Sequence, residues 1–427
     1  MTALDWTVMA LYGAIVLGIG WWAHRRQKNS EDYFLGGRRL RWWVVGVSLI
    51  ATSFSSVSLI AGTGFGFDNG MQWLQLQLGD LAAILIVCVV FLPFFAQLRL
   101  TTAYEYLERR FGVVARTVAS ALFIAQTLLR ASILVLVPAV ALSEILDWPV
   151  NTAIVVAAGA AILYSAFGGI GAVVWTDLLQ MVVIVFAVVY CLVLVAGDVP
   201  GGWAAVLDHA QGGGRLEVVT AAADRGSLFN LLGAFVPYTV FAVSLFGTGQ
   251  QAVQRFLSCR DLASARRAAL TGWAVGTVAL GLTLFLGACL AAWVDLAPDA
   301  TELSGGDNVL PGFIEGRLDS GLAGLMLAAV FAASMSSLDS AIHSTSTALI
   351  VDFLRRFSKP DARRELVAAR LTTVAVGVLA TLGAVYAAER QTPILKTLVT
   401  WLGYVAGPLL GLFLLGLLVR RANQVGA

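Results

Sequence analysis

The chain has 427 residues, 59% of them hydrophobic and 13% charged, with a mean hydropathy of +0.83. That composition excludes a soluble globular domain. The formal net charge of +2 leaves no basic footprint for nucleic acid.

Apolar stretches long enough to cross a hydrocarbon core of roughly 30 Å recur along the whole chain. There are eleven, at about 5–23, 43–67, 74–97, 115–145, 150–168, 171–197, 227–247, 265–295, 320–354, 366–388 and 393–419. No series of alternating ten-residue strands appears, which argues against a barrel. The first stretch reads as a retained helix rather than a cleaved leader, because its positive cluster (Arg25, Arg26, Lys28) follows the apolar run. With the N-terminus outside, the inner loops would be 24–42, 98–116, 168–171, 248–267 and 355–370, plus the tail from Arg420. Those loops hold 22 of the 28 Lys and Arg. The loop 296–319 is acidic (Asp299, Glu302, Asp307, Glu315, Asp319). This asymmetry predicts N-out, C-in and eleven spans. The setting is a plasma membrane, or the inner membrane in a bacterium.

The remaining features are negative. The longest connector, 198–226, reads as a surface loop. Cys88, Cys191, Cys259 and Cys289 have no metal-site or redox spacing and read as small apolar fillers. GTGFG at 62–66 is glycine-rich but lacks the lysine of a phosphate loop. No cofactor is implied.

Polarity inside a span is costly and marks function by default. Four places carry it. "GVSLIATSFSSVSLIAGTGFG" (46–66) is crowded with Ser and Gly. It is either a close-packed small-residue interface or a helix that opens and frees carbonyls for an ion. Arg130 lies mid-span in "FIAQTLLRASILVLVPAVAL". It is either paired structurally, with Asp80 or another acid, or the counter-charge for an anionic solute. Asp177 and Gln180 interrupt "GGIGAVVWTDLLQMVVIVF" (168–186). Asp177 is either satisfied by backbone near the inner interface or paired with the hydroxyls of the 320–354 helix. The fourth place is "AASMSSLDSAIHSTST" (332–347). At about 100° per residue, Ala333, Ser336, Ser337, Ser340, His343, Ser344 and Thr347 share one face, with Asp339 at its edge. Hydroxyls alone fit interhelical packing. An aspartate among them points to a small hard cation, since sodium prefers hydroxyl, carbonyl and carboxylate oxygen.

The chain resembles the sodium/solute symporter family over nearly its whole length. Four blocks carry the resemblance in the family's order: "TTAYEYLERRFG" (101–112), "FGGIGAVVWTDLLQ" (167–180), "GTGQQAVQRFLSCRDLASARRA" (247–268) and "MSSLDSAIHSTSTALIVDFLRR" (335–356). The first and third are most similar to the branch that carries monocarboxylates, vitamins and iodide.

The resemblance implies an all-α LeuT-like fold, a five-plus-five inverted repeat in one transporter domain. Residues 5–23 would be an extra leading helix, 43–197 the first repeat and 227–419 the second. Many relatives have further helices, so a chain of eleven spans reads as a short or truncated member. The family's sodium ligands match Ala51, Phe54, Ala333, Ser336 and Ser337. A second cation, or a proton, would use Asp177, Asp339 and Ser340. Ser53, Ser56, Ser58, Gln72 and Arg130 fall near the expected solute cavity. The sugar branch's substrate Asn and gating Tyr fall at Ala242 and Leu245, which argues against a sugar.

The implied activity is sodium-coupled import of a small solute, an organic anion such as a monocarboxylate or vitamin-like acid, by alternating access. The rivals are a proton-coupled carrier using Asp177, Asp339 and His343, a sugar-type sodium symporter, and a membrane sensor without transport. An enzyme is disfavoured, because Ser336 with His343 has no third partner to orient it.

Overall fold

In an apolar setting every backbone N–H and C=O must find an internal partner, and a helix achieves this within one segment. The structure, a computed structural model, follows that rule. It describes residues 2–98, 100–146, 148–219, 231–357, 361–390, 394–419 and 421–423. All are helical or connect helices, with no strand among the described residues.

The helices are α1 (Ala3–His24), α2 (Ser30–Leu35), α3 (Trp42–Ser53), α4 (Ser56–Asn69), and α5 (Leu76–Ile86) running through a π turn into α6 (Leu92–Leu98). Next come α7 (Glu105–Phe111), α8 (Val113–Leu146), α9 (Val150–Asp198), α10 (Gly202–Gly212), α11 (Leu231–Gly247), α12 (Gln250–Leu257) and α13 (Leu262–Leu296). The last are α14 (Val309–Arg317), α15 (Leu322–Ala348) with a π turn into α16 (Arg355–Phe357), α17 (Ala362–Arg390) and α18 (Ile394–Leu418).

All eleven predicted spans fall on helices. Seven helical stretches are long and apolar enough to cross a membrane, and α3, residues 235–247 and residues 404–418 add shorter apolar helices. The 49-residue α9 holds two predicted spans and bends at Gly169 (φ 56). Glycine is required there on two counts: the left-handed φ, and the Tyr33 carbonyl, which lies 2.7 Å from where a Cβ would sit. Residues 220–230, at the end of the long connector and the start of the seventh span, lie outside the described residues. So do residues 99, 358–360, 393, 420 and 424–427 of the predicted loops, last span and tail.

Three loop assignments need correction. The connector 198–226 contains α10, whose Trp203 stacks on Phe285 of α13 at 6.1 Å. The acidic loop 296–319 contains α14, tied to the end of α9 by Arg317, which grips Asp198 through two 2.6 Å bonds. The predicted inner loop 248–267 contains α12, buried along its whole length. Its eight residues carry too many polar side chains for a hydropathy window to register a span.

Two spans are broken. α3 ends at Ser53, Phe54 leaves helical geometry (ψ 90), and α4 restarts with Ser55 and Ser58 capping each other. α11 ends at Gly247 and α12 restarts after Gly249 (ψ 123). The opening expected in 46–66 is therefore present, and a second one lies between α11 and α12.

Close packing of α4 on α13 also depends on glycine. A methyl group on Gly66 would meet the Leu284 carbonyl, and one on Gly287 the Thr63 carbonyl. Gly66→Val is expected to cost about 1–3 kcal/mol through overpacking, read as a lower melting temperature of the purified protein. The leading helix α1 is fixed at its start. Asp5 caps Thr2 and accepts hydrogen bonds from the Gly321 and Gly324 amides (2.7 and 2.9 Å) at the head of α15.

Three of the four sequence blocks meet at one end of the bundle. Thr102 and Ser120 donate to the Asp352 carboxylate (both 2.7 Å), and Arg116 bridges it to Glu108. Gln250 receives the Ala103 amide (2.8 Å). The cysteines are all buried and unpaired.

Candidate cation seats and solute cavity

α15 is buried almost all round from Gly324 to Ala348. Its small residues let α3 and α9 approach closely, and its hydroxyls reach across. Where α3 stops, the Ala51 and Thr52 carbonyls lose their helical partners. α15 supplies replacements: the Ser336 hydroxyl donates to the Ala51 carbonyl (2.8 Å), and the Ser337 hydroxyl to the Thr52 carbonyl (2.9 Å). Ser336 also lies 3.1 Å from the Ala333 carbonyl. Ala51, Ala333, Ser336 and Ser337, four of the five residues matched to the family's sodium ligands, thus converge. Phe54 sits at the break, and its amide closes the last turn on Ile50 (2.7 Å). Its carbonyl makes no hydrogen bond to the serine pair. The donor set is neutral oxygen throughout, which suits a small hard monovalent cation bound by unwound backbone.

One helical turn further along α15 lies a charged cluster. Asp177 of α9 is fully buried and accepts from Ser48 of α3 (2.5 Å) and from Arg255 of α12 (3.0 Å). Arg255 also donates to Ser48 (2.7 Å), Ser340 (2.5 Å) and the Gln251 carbonyl (3.0 Å). Asp339, also fully buried, takes the Tyr164 hydroxyl (2.6 Å) and lies 3.1 Å from Ser340. Asp177 is therefore not an interfacial aspartate satisfied by backbone. It reaches the α15 hydroxyls through Arg255.

Arg255, Tyr164 and Ser48 were missed in the sequence. A mid-span tyrosine and a serine raise no signal, and Arg255 was counted as a loop charge. The cue was available in the run of three glutamines and an arginine right after the glycine-rich GTG. Two carboxylates, Asp177 and Asp339, thus share a pocket with one guanidinium, that of Arg255. Asp177 Oδ1 has no hydrogen-bond partner, and a second cation would find a ready ligand there. His343 does not join Asp339. Both its ring nitrogens lack partners, and the ring packs on Tyr33 (5.1 Å between centroids).

Beside the break of α3 lies a cavity of about 420 Å³, within the range of small-molecule sites. Ser53, Ser58 and Arg130 line it, with Trp73, Phe123 and Gln251. Ser56 and Gln72 do not. Ser56 is buried with its hydroxyl unpartnered, and in the 3-10 turn Gly70–Gln75 it is Trp73, not Gln72, that lines the cavity. Of the two positions aligned with the sugar branch, Leu245 lines the cavity and Ala242 is buried in the hydrophobic core.

Arg130 has no ion-pair partner among the described residues. Asp80 bonds instead to Gln77 (3.0 Å). Arg130 makes two long bonds, to Gln251 Oε1 (3.4 Å) and the Thr52 carbonyl (3.5 Å). Most of its five donors are unspent. Thr52 links the three regions: its carbonyl receives Ser337 and Arg130, and its hydroxyl lies 2.9 Å from Ser340.

A family profile described as "Sodium:solute symporter family" matches residues 33–427. The chain belongs to the sodium:solute symporter family. As a member of a transporter family it is a multi-pass membrane transporter and not an enzyme.

The chain is similar to the sodium/sialic acid symporter NanT of Aliivibrio fischeri, 28% identical over 427 residues, covering 99% of this chain and 85% of that protein. It is also similar to the human sodium-coupled monocarboxylate transporter 1, 29% identical over 441 residues, covering 100% of this chain and 71% of that protein. Among solved structures, a Na⁺-coupled sialic acid symporter in a substrate-bound outward-open state superposes with a TM-score of 0.89 at 27% identity. That match covers 99% of this chain and 88% of that one. The fold is thereby LeuT-like, as the sequence blocks implied.

Proposed function

We propose that this family member imports a carboxylate-bearing organic anion by sodium-coupled symport. The observation that carries the reading is Arg130: a guanidinium without an acidic partner, in a cavity one residue from the carbonyls that meet Ser336 and Ser337. The relatives named for sialic acid and for monocarboxylates share a carboxylate in their solutes, and a planar fork of donors suits that group.

Sodium sits among Ala51, Ala333, Ser336 and Ser337, with Phe54 closing the break. A second cation, or a proton, takes the cluster of Asp177, Asp339 and Ser340, where Asp177 Oδ1 is unpartnered. The halves 43–197 and 227–419 rock around these seats, each half opening on a broken helix. The N-terminus lies outside and the C-terminus inside.

Linkage supplies the work. Sodium bridging α3 and α15 favours the shape that holds solute, and solute raises sodium affinity by the same factor. Each inward sodium contributes about 2.3 kcal/mol per 100 mV of membrane potential.

Melting temperature in sodium chloride against choline chloride, at fixed ionic strength, tests the ion site. A rise that sets in near Kd and then grows with the logarithm of sodium concentration is expected, worth about 2.7 kcal/mol at a hundredfold excess over Kd. In Ser336→Ala the sodium concentration at which the rise sets in should increase about tenfold or more, or about 1.4 kcal/mol per factor of ten. Equal responses in the two salts would remove sodium from the reading.

A further inference from the structure

One cavity-wall residue has a donor that nothing uses. Gln251 is the second residue of α12, just past the break, and is 8% exposed. Its amide oxygen accepts from Arg130 Nη1 at 3.4 Å. A guanidinium offers donors only, so the amide must turn its oxygen to Arg130 and its nitrogen away. That nitrogen, Nε2, is buried without a hydrogen-bond partner, and Gln251 lines the same cavity as Arg130. Two residues of one cavity wall thus hold spare donors, the under-used fork of Arg130 and the orphan amide of Gln251. No acidic side chain lies within ion-pair distance of Arg130 among the described residues.

Leaving a buried amide donor unmade is unfavourable, and such a group in a site calls for an acceptor. An acceptor-only group with two oxygens fits both donors at once.

We infer that Gln251 is a solute-binding residue that, with Arg130, forms a two-donor seat for one carboxylate of the transported anion. This rests on the carboxylate reading above and adds a second ligand to it. Gln251 has a further connection: its backbone carbonyl accepts from Arg255 Nη1 (3.0 Å). One residue therefore touches both the solute seat and the Asp177–Arg255 cluster.

The chemistry makes the seat selective. It favours a planar carboxylate over a spherical anion, because two donors on separate side chains match two oxygens. It disfavours an alcohol or amide of the same skeleton, which would bring a donor against donors.

The test is a melting-temperature titration of the full chain in saturating sodium with sialic acid, lactate, nicotinate and iodide. Wild type, Gln251→Met, Gln251→Glu and Arg130→Gln are compared, with sodium alone as a control on folding. Wild type is expected to bind at least one of the three acids. Gln251→Met, which keeps the volume and loses both polar groups, should raise the Kd of that acid about tenfold or more. Gln251→Glu keeps the shape, pairs internally with Arg130 and presents an acceptor to an acceptor. It should raise the Kd about a hundredfold or more. The sodium response without solute should be unchanged in both.

If both Gln251 variants bind the acid as wild type does while Arg130→Gln does not, the inference fails and the Arg130 reading stands. If wild type binds none of the acids, or binds iodide alone, the carboxylate reading fails and this inference with it. Gln251→Glu guards against a folding artefact, since its internal pair with Arg130 preserves the α8–α12 contact that Gln251→Met gives up.

Discussion

Arg130→Gln is expected to abolish binding of the carboxylate solute and to leave the sodium response intact. The separation follows from the geometry. The Arg130 guanidinium meets the first cation seat through a 3.5 Å bond to the Thr52 carbonyl, and that carbonyl keeps its 2.9 Å bond from Ser337 when the arginine is gone; its other contact, Gln251, keeps its backbone bond to Arg255. The proposed solute would lose the one charged side chain that lines the cavity among the described residues. Truncating one side of a desolvated charge pair costs about 2–5 kcal/mol, roughly thirtyfold or more in affinity. Arg130→Lys should recover part of the charge and little of the affinity, because a point ammonium cannot reproduce the fork. The check is solute titration in sodium, followed by sodium titration alone. A parallel loss of both responses would make Arg130 a structural residue.

The second large effect is expected at the buried pair of Asp177 and Arg255. Each sits at 0–1% side-chain exposure, so removing either one leaves the other buried without its 3.0 Å ion-pair partner. Asp177→Asn leaves Arg255 facing Ser48, Ser340 and an amide, and Arg255→Gln leaves two carboxylates with no cation. Breaking such a pair costs about 3–5 kcal/mol.

The double variant Asp177→Asn with Arg255→Gln removes both charges and should recover much of that stability, since neutral amides can still bond to Ser48 and Ser340. It should not recover the sodium response assigned to the second seat, because the Asp177 carboxylate, with its charge and its second oxygen, is gone. Chemical or thermal denaturation of the four proteins, with and without sodium, gives the cycle. Additive destabilisation in the double variant would show that the two charges do not act as a pair.

Much of this molecule is legible in the sequence because the membrane leaves few choices. Hydropathy alone placed eleven spans on helices, since any apolar segment of that length must satisfy its backbone internally. Helical periodicity on 332–347 put Ala333, Ser336, Ser337 and Ser340 on one face, and that face meets α3. The density of Ser and Gly in 46–66 marked a helix that opens.

Other features depend on distances between segments far apart in the chain. Arg255 reads as a loop charge until α12 folds back and buries it 3.0 Å from Asp177, 78 residues away. Tyr164 is an unremarked tyrosine until the bend at Gly169 aims the first half of α9 at Asp339. Asp80 and Arg130 are equally plausible partners by sequence, and only the packing of α5 against α11 and α13 keeps them apart. Ser56 and Ser58 are two residues apart, and the turn at Phe54–Ser55 decides which of them lines the cavity. Residue type and periodicity determined where polarity enters the membrane. The tertiary structure decided which polar groups are spent on each other and which, at Arg130, Gln251 and Asp177, keep unspent donors or acceptors, because that depends on contacts between helices that no local pattern encodes.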